Sequence, residues 1–317
     1  MASYNEAVSQ QSARSDKVLR SALDAFQDSA DFGGLAKRTQ SDYRKFLKLI
    51  DAEFGDFPID ALEDRRTRGE FLAWRDRLAL KSRRQSDYAF SVLARAVSWS
   101  LDRGLVSANP CKSPGRLYRS ERRETIWTDT DESAFKAVAP DHLWLAFQFA
   151  VWTGQRQGDL IRLEWNAFDG TSIRLRQGKT GARVAIRIAA PLLDLLGLTE
   201  RRAITILTNG DGESWTSNTF GTAWRRSCRQ AGIKGVTFHD LRGTAVTRFA
   251  RAGATEAEIA SITGHSLADV GAILDTHYLK RDSNLADAAV RKREQQDFQT
   301  KSQTAGTRRH AKTKKNV

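Results

Sequence analysis

Ser172-Ile173-Arg174-Leu175-Arg176-Gln177-Gly178-Lys179-Thr180-Gly181-Ala182-Arg183-Val184-Ala185-Ile186-Arg187-Ile188 is the stretch that decides the class of the fold. Apolar and polar side chains alternate from Ser172 to Arg176 and again from Arg183 to Ile188, the period of a strand with one buried face. Gln177-Gly178-Lys179-Thr180-Gly181 between them is a turn with two glycines, so the runs form a β-hairpin with Lys179 at its tip. The sequence on both sides reads as helix. The expected fold is therefore mainly α with a small β-sheet.

Upstream, Gln155 to Trp165 reads as a helix entered through Thr153-Gly154, and His142 to Trp152 as a buried helix. Thr128 has the place of an N-cap with Asp131 in the capping-box position, opening a helix through Val138. Downstream, Leu192–Leu196, Ser217–Ala231, His239–Arg251 and Glu256–Thr263 read as helices. A segment leading to Tyr278 and a last amphipathic helix, Leu285–Phe298, follow. Residues 125–298 thus form one mixed α+β domain.

Residues 15–106 read as a helical bundle of about four short helices. Val18, Leu19, Ala22, Leu23 and Phe26 repeat at helical spacing, as do Tyr43, Phe46, Leu47 and Ile50, then Phe71, Trp74 and Leu78, then Val92, Leu93, Ala96, Val97 and Trp99. Residues 107–124 carry two prolines and a glycine, turn basic, and read as the linker between the domains. Residues 1–14 read as a disordered leader, too short for a separate domain, and 299–317 as a basic disordered tail.

The chain has 317 residues, length for about two domains. Two cysteines, Cys111 and Cys228, exclude a disulfide scaffold and a cysteine-rich zinc module, and fit a reducing, cytoplasmic compartment. The N-terminus has no secretory pattern, and the most apolar run is far shorter than the ~20 residues of a membrane span, so no membrane partner is expected. Lys and Arg number 51 against 38 Asp and Glu, a net charge of +13 and a pI of about 10.0, which points to a polyanionic partner, nucleic acid first. The excess is uneven: net +5 in residues 1–120, +2 in 121–298 and +6 in 299–317. Without the tail the body carries only +7, so total charge is poor evidence for function.

Five segments of the second domain hold polar groups in unusual settings. They are Thr153-Gly154-Gln155-Arg156-Gln157-Gly158-Asp159-Leu160, Gly178-Lys179-Thr180, His239-Asp240-Leu241-Arg242-Gly243, Thr263-Gly264-His265-Ser266 and Thr276-His277-Tyr278. Singly each has an ordinary reading: a surface ion pair, a solvated hairpin lysine, a buried structural histidine, a helix-starting turn. In this order they closely resemble the catalytic domain of the tyrosine recombinases, the phage integrase family, over roughly residues 125–285. The helical first domain and basic linker resemble the family's core-binding, SAM-like domain.

The resemblance implies metal-free phosphodiester cleavage with no cofactor. Such cleavage needs charge neutralisation on the transition state, an in-line nucleophile and a proton for the leaving oxygen. Arg156 and Arg242 are assigned to the two non-bridging oxygens, which planar guanidinium forks suit. Asp159, three residues after Arg156, is expected to hold it by an ion pair. By resemblance Lys179 is the general acid, His239 assists proton transfer, and His265 donates a hydrogen bond to a phosphate oxygen. Tyr278 is the nucleophile. Of Tyr4, Tyr43, Tyr88, Tyr118 and Tyr278, it alone follows the linker. His265 and Tyr278 are 13 apart, about one helical turn more than the common family spacing. His277 is an unassigned neighbour.

The implied function is a site-specific DNA recombinase or integrase working through a 3′-phosphotyrosyl bond, integrating or excising a mobile element. Its partners would be double-stranded DNA, three further copies of itself in a tetramer on DNA, and an accessory directionality factor. Lys37, Arg38, Arg44, Lys81, Arg83 and Arg84 of the first domain are candidate phosphate contacts, or solvated surface. In the family a segment like 285–298 often docks on a neighbouring protomer; packing within its own chain is the alternative. The same chemistry serves type IB topoisomerases and hairpin resolvases. A non-catalytic DNA-binding protein derived from a recombinase, and a helical interaction module, are the readings from other classes. Deleting residues 299–317 is expected to weaken DNA binding and to flatten its dependence on salt, while cleavage at saturating protein is unchanged. Binding titrations from low to high salt, with a cleavage assay beside them, measure both.

Overall fold

The computed structural model describes residues 17–118, 125–276, 290 and 293–294. The expected leader, most of the expected 285–298 helix, the tail, His277 and Tyr278 lie outside the described residues. The chain divides into two compact units, Met1–Ser120 and Glu121–Val317.

In the first unit α1 (Leu19–Gln27), α2 (Ala30–Gly33), α3 (Lys37–Phe54), α4 (Arg65–Ala79) and α5 (Arg83–Asp102) surround one core. Leu19, Phe26, Ile50, Phe71, Trp74, Phe90 and Leu93 are fully buried in it. The helices start where short polar side chains take their free N–H groups: Ser29, Asp64 and Ser82 cap α2, α4 and α5.

The first part of the expected linker belongs to this unit. Arg68 donates to the carbonyls of Pro110 and Lys112, both at 2.7 Å, and the buried Arg75 to that of Pro114 at 3.0 Å. Asp87 accepts from the backbone N–H of Leu117 and Tyr118, and Cys111 is buried in the core. Residues 107–118 carry few apolar groups, so they read as free connector. Long side chains from the helices satisfy their backbone instead. Residues 119–124 lie outside the described residues.

The second unit opens with the expected capping box: Thr128 Oγ1 accepts from Asp131 N and Asp131 Oδ2 from Thr128 N, starting α6 (Asp129–Val138). α7 (Asp141–Thr153) is apolar on nearly every face and lies at the centre of the core. β1 (Ser172–Arg176) and β2 (Arg183–Arg187) form the expected antiparallel hairpin. Ile173 pairs with Ile186 and Leu175 with Val184 on the inner face, and Arg176 with Arg183 on the outer. α9 (Ala190–Leu198), α10 (Ser217–Gln230), α11 (Leu241–Arg251), α12 (Glu256–Thr263) and α13 (Leu267–Leu274) follow. α11 bridges two cores: Leu241 is in the main one, while Val246 and Ala250 pack with Ile259, Val270 and Leu274 of α12 and α13.

Two expected helices are shorter. In place of a helix from Gln155 to Trp165 there is one turn, α8 (Gln157–Leu160). Beyond it Ile206 N donates to Leu163 O and Trp165 N to Ile204 O, so a distant strand-like segment takes the backbone. His239–Arg251 is not one helix either. Asp240 accepts from Thr237 N and Thr237 Oγ1, which folds Phe238–Asp240 into a 3₁₀ turn ahead of α11.

Trp127 joins the second unit together. It is 2 % exposed, its ring packs on Phe135, Phe147 and Trp224, its Nε1 donates to Thr237 O at 2.9 Å, and its backbone N donates to Thr244 Oγ1. Trp127→Ala is expected to cost about 3–5 kcal/mol of stability. Chemical denaturation of the variant beside the original chain measures it.

Candidate active site

Arg156, Lys179, His239, Arg242 and His265 line one cavity of about 410 Å³ with Thr125, Asp240, Gly243, Asp269, Ala272, Ile273 and Thr276. Five of the six residues expected to act together are therefore gathered in one place. Tyr278 lies outside the described residues, two positions beyond Thr276.

Arg242 is the most enclosed of them, 4 % exposed in the first turn of α11. Its Nη1 donates to Thr263 O at 2.7 Å and to Gly154 O, and its Nε to His265 Nε2 at 2.8 Å. The two carbonyls are the ends of α12 and α7. Both helices stop on a left-handed glycine, Gly264 at φ 65° and Gly154 at φ 62°. A Cβ on Gly154 would lie 2.7 Å from Thr263 Cγ2, so only glycine lets these two ends meet around the guanidinium. Nη2 is buried and has no acceptor among the described residues. Burial, and then the charge of Arg156, pull the Arg242 pKa down to about 9.

His265 does not have the expected arrangement for donation to a phosphate. Arg242 Nε always carries a proton, so His265 Nε2 is the acceptor and the ring proton sits on Nδ1. Nδ1 faces Thr263 Oγ1 at 2.9 Å, and that hydroxyl donates to Ile259 O. The histidine is thus neutral and holds Arg242. Burial first, then Arg242 and Arg156, push its pKa down to about 4, with Asp269 opposing. His239 sits in the 3₁₀ turn, exposed along the cavity. The protein around it lowers its pKa, Asp240 opposes, and Arg242, Arg156 and Lys179 lower it further.

Arg156 is half-buried at the N-cap of α8, and its Nη1 donates to Gln177 Oε1 at 2.6 Å. The expected ion pair with Asp159 is not formed. Asp159 Oδ1 accepts from Gly178 N at 2.8 Å and lies 3.4 Å from Arg162 Nη2. The carboxylate has turned to the hairpin, where a backbone N–H without a partner would be costly. Lys179 is exposed at the hairpin tip.

Gln177, Gln155 and Thr263 hydrogen-bond around Arg156 and Arg242, and little in the sequence sets them apart. Glutamine beside Gly178 reads as an ordinary turn residue. The one available signal is a long amide just past β1, on the inward side of the strand's alternation.

In the first unit a depression of about 750 Å³ is lined by Arg38, Lys45, Arg84, Arg116, Phe46, Tyr88 and Tyr118, among others. Of the six candidate phosphate contacts only Arg38 and Arg84 line it. Lys37, Lys81 and Arg83 are exposed elsewhere, and Arg44 rests over the Phe32 ring. Lys45 and Arg116 were not singled out from sequence.

A neutral His265 makes the site sensitive to acid. Its folded pKa is below its ordinary value of 6.5, so the stability it contributes is complete above pH 6.5 and is lost as pH falls through about 4. Replacing it by glutamine, whose carbonyl also accepts from Arg242, is expected to make the fall in stability between pH 6.5 and 4 shallower. Urea titrations across that range test this, the remaining slope belonging to His142, His239 and the carboxylates.

Residues 126–272 match the model of the phage integrase family. The integrase of Enterobacteria phage 434 is 24 % identical over 241 residues, 71 % of this chain and 67 % of its own. The integrase of Escherichia phage lambda gives the same identity and the same coverage. Among solved structures, a lambda integrase dimer bound to a COC′ core site superposes with a TM-score of 0.72 at 22 % identity, over 86 % of this chain and 82 % of that one. The Tn1549 transposon integrase in complex with a circular intermediate DNA gives 0.67 at 15 % identity, over 87 % and 99 %. These likenesses are of fold. The segment that matches the phage integrase family holds Arg156, Lys179, His239, Arg242 and His265, and over it the chain is similar to these integrases.

Proposed function

We propose that this chain is a site-specific DNA recombinase that cuts and rejoins strands through a 3′-phosphotyrosyl bond to Tyr278, integrating or excising a mobile element. The observation that carries the reading is the cavity in which two guanidiniums, a lysine and two histidines converge with no carboxylate paired to either arginine among the described residues. Such a site holds surplus positive charge for an anion with two free oxygens.

In this reading a phosphodiester sits between Arg156 and Arg242, whose unpartnered Nη2 supplies a donor without breaking an existing bond. The Tyr278 oxygen attacks phosphorus and forms the phosphotyrosyl bond. The bond to the 5′-oxygen breaks, and Lys179 protonates that oxygen as it leaves. His239, kept largely neutral at pH 7, accepts the tyrosine proton. His265 and Asp159 hold Arg242 and the hairpin. Because the energy of the phosphodiester is kept in the tyrosyl bond, rejoining needs no ATP.

The partners are double-stranded DNA, further copies of the chain in a tetramer, and an accessory directionality factor. Lambda integrase has been seen as a tetramer bound to a Holliday junction, which supports the assembly. Arg38, Lys45, Arg84 and Arg116 of the first unit, and the outward Arg176 and Arg183 of the hairpin, would meet the DNA backbone. Among the described residues no helix is long and apolar enough to cross a membrane, and the reading places the protein in the cytoplasm with DNA.

Nicked suicide DNA carrying the cognate site is expected to give a covalent adduct that Tyr278→Phe abolishes. Arg156→Ala, and Arg242→Lys, which keeps a charge but loses the fork, are expected to lower cleavage by about 100-fold or more while binding stays near normal. An adduct that persists in Tyr278→Phe would remove the proposed nucleophile. Binding that falls in step with cleavage would remove the clamp.

A further inference from the structure

Gln177 has no exposed surface, and its amide uses its full hydrogen-bonding capacity. Its Oε1 accepts from Arg156 Nη1 at 2.6 Å and from Thr180 Oγ1 at 2.9 Å. Its Nε2 donates to Gln155 Oε1 at 2.7 Å and to Thr263 O at 2.8 Å. Thr263 O is also the acceptor of Arg242 Nη1. One side chain therefore touches the holder of Arg242, the guanidinium of Arg156, and the turn that carries Lys179. The orientation of the amide is fixed, because a flip would set its NH₂ against the Arg156 donor and its oxygen against Thr263 O. Space for it exists because position 264 is glycine: a Cβ there would lie 2.5–2.9 Å from the Gln177 amide atoms.

The charge state of this tie matters as much as its geometry. A glutamate would fit the same space and keep both acceptor bonds, but it would neutralise Arg156. It would also set a carboxylate against Thr263 O. A neutral amide fixes the guanidinium and leaves its charge for the substrate.

We propose that Gln177 is a positioning residue that joins Arg156 to the Lys179 hairpin through a neutral amide, so that the clamp and the proton donor meet the phosphate as one unit. The proposal rests on the strand-transfer reading above. It assigns two separable duties: the Thr180 bond sets Lys179, and amide neutrality preserves the charge of Arg156.

The two duties are separated by the leaving group. An ordinary 5′-oxygen needs a proton as the P–O bond breaks. A 5′-bridging sulfur leaves as a thiolate, a far weaker base than an alkoxide (a cysteine thiol has a pKa of about 8.5), and does not need one. Single-turnover cleavage of suicide DNA is measured with both substrates. Thr180→Val, an exposed change that spares Arg156, is expected to slow the oxygen substrate roughly tenfold and to leave the sulfur substrate near the rate of the original chain, the pattern also expected of Lys179→Ala. Gln177→Glu is expected to slow both substrates alike, about 10- to 100-fold, because sulfur does not restore the charge of Arg156.

A Thr180→Val chain impaired equally on both substrates, or on neither, overturns the hairpin tie. A Gln177→Glu chain as fast as the original overturns the neutrality argument. If Gln177→Glu does not fold, Thr180→Val alone still decides the tie. An original chain that forms no Tyr278 adduct on either substrate overturns the strand-transfer reading itself, so the two failures are distinct.

Discussion

A guanidinium that keeps its charge at neutral pH is buried at Arg242, and much of the second unit is arranged around that fact. Burying a charge without a counter-ion is expensive, and the usual remedy is a carboxylate. This chain uses the carbonyl ends of two helices instead. Gly154 O and Thr263 O sit at the negative ends of α7 and α12, and Thr263 O also accepts from Gln177 Nε2. The solution requires both helices to stop in the same place, which fixes Gly154 and Gly264 and the close packing between them. It leaves a cost, visible in the lowered pKa of Arg242 and in the unpaired Nη2.

The same choice recurs at every arginine support in the cavity. Arg242 is held by carbonyls and a neutral imidazole, and Arg156 by a neutral amide. Elsewhere the chain pairs its arginines with acids freely: Arg20 with Asp51 and Asp56, Arg248 with Asp129 and Glu132. A buried carboxylate would have held the arginines more strongly, but it would have competed with any incoming anion for the same charge. A substrate phosphate is expected to win more attraction from a cation fixed by neutral partners than from one already in an ion pair.

What the sequence could reveal follows from the range of the interactions involved. The hairpin, the Thr128 capping box and helix Glu256–Thr263 are set by residues within a turn or a strand pair, and their periods and caps were legible. The Gln155–Trp165 helix was misread because its backbone is claimed by residues 204–206, some forty positions away. The linker was misread for the same reason, since Arg68, Arg75 and Asp87 are far from it in sequence. Arg156, Lys179, His239, Arg242 and His265, which line one cavity, are legible as a group because their order is informative. Their supports are not, because Gln177 and Thr263 are common residue types whose roles exist only after folding. Asp159 was given the wrong partner because spacing of three on a presumed helix favours a side-chain pair, whereas the real turn offers it a backbone N–H.

Net charge illustrates the same locality. The second unit up to residue 298 carries only +2, yet its cavity presents Arg156, Lys179 and Arg242 together. Near neutrality is compatible with a strongly cationic site if the nearby acids are occupied. Asp240 is engaged by Thr237, and Asp269 by Ser266, whose hydroxyl does most to hold its carboxyl below the usual range. Asp159 is engaged by Gly178. Each of these carboxylates accepts from a backbone N–H or a hydroxyl at a turn or helix start, and Asp159 also lies by Arg162, outside the cavity. Structural capping and charge separation are therefore one arrangement here: the hydrogen bonds that end the local elements also keep these acids from pairing with Arg156 and Arg242. Replacing such a cap would disturb the field of the cavity as well as the fold, whereas removing an exposed tail charge would change only the long-range attraction that salt screens.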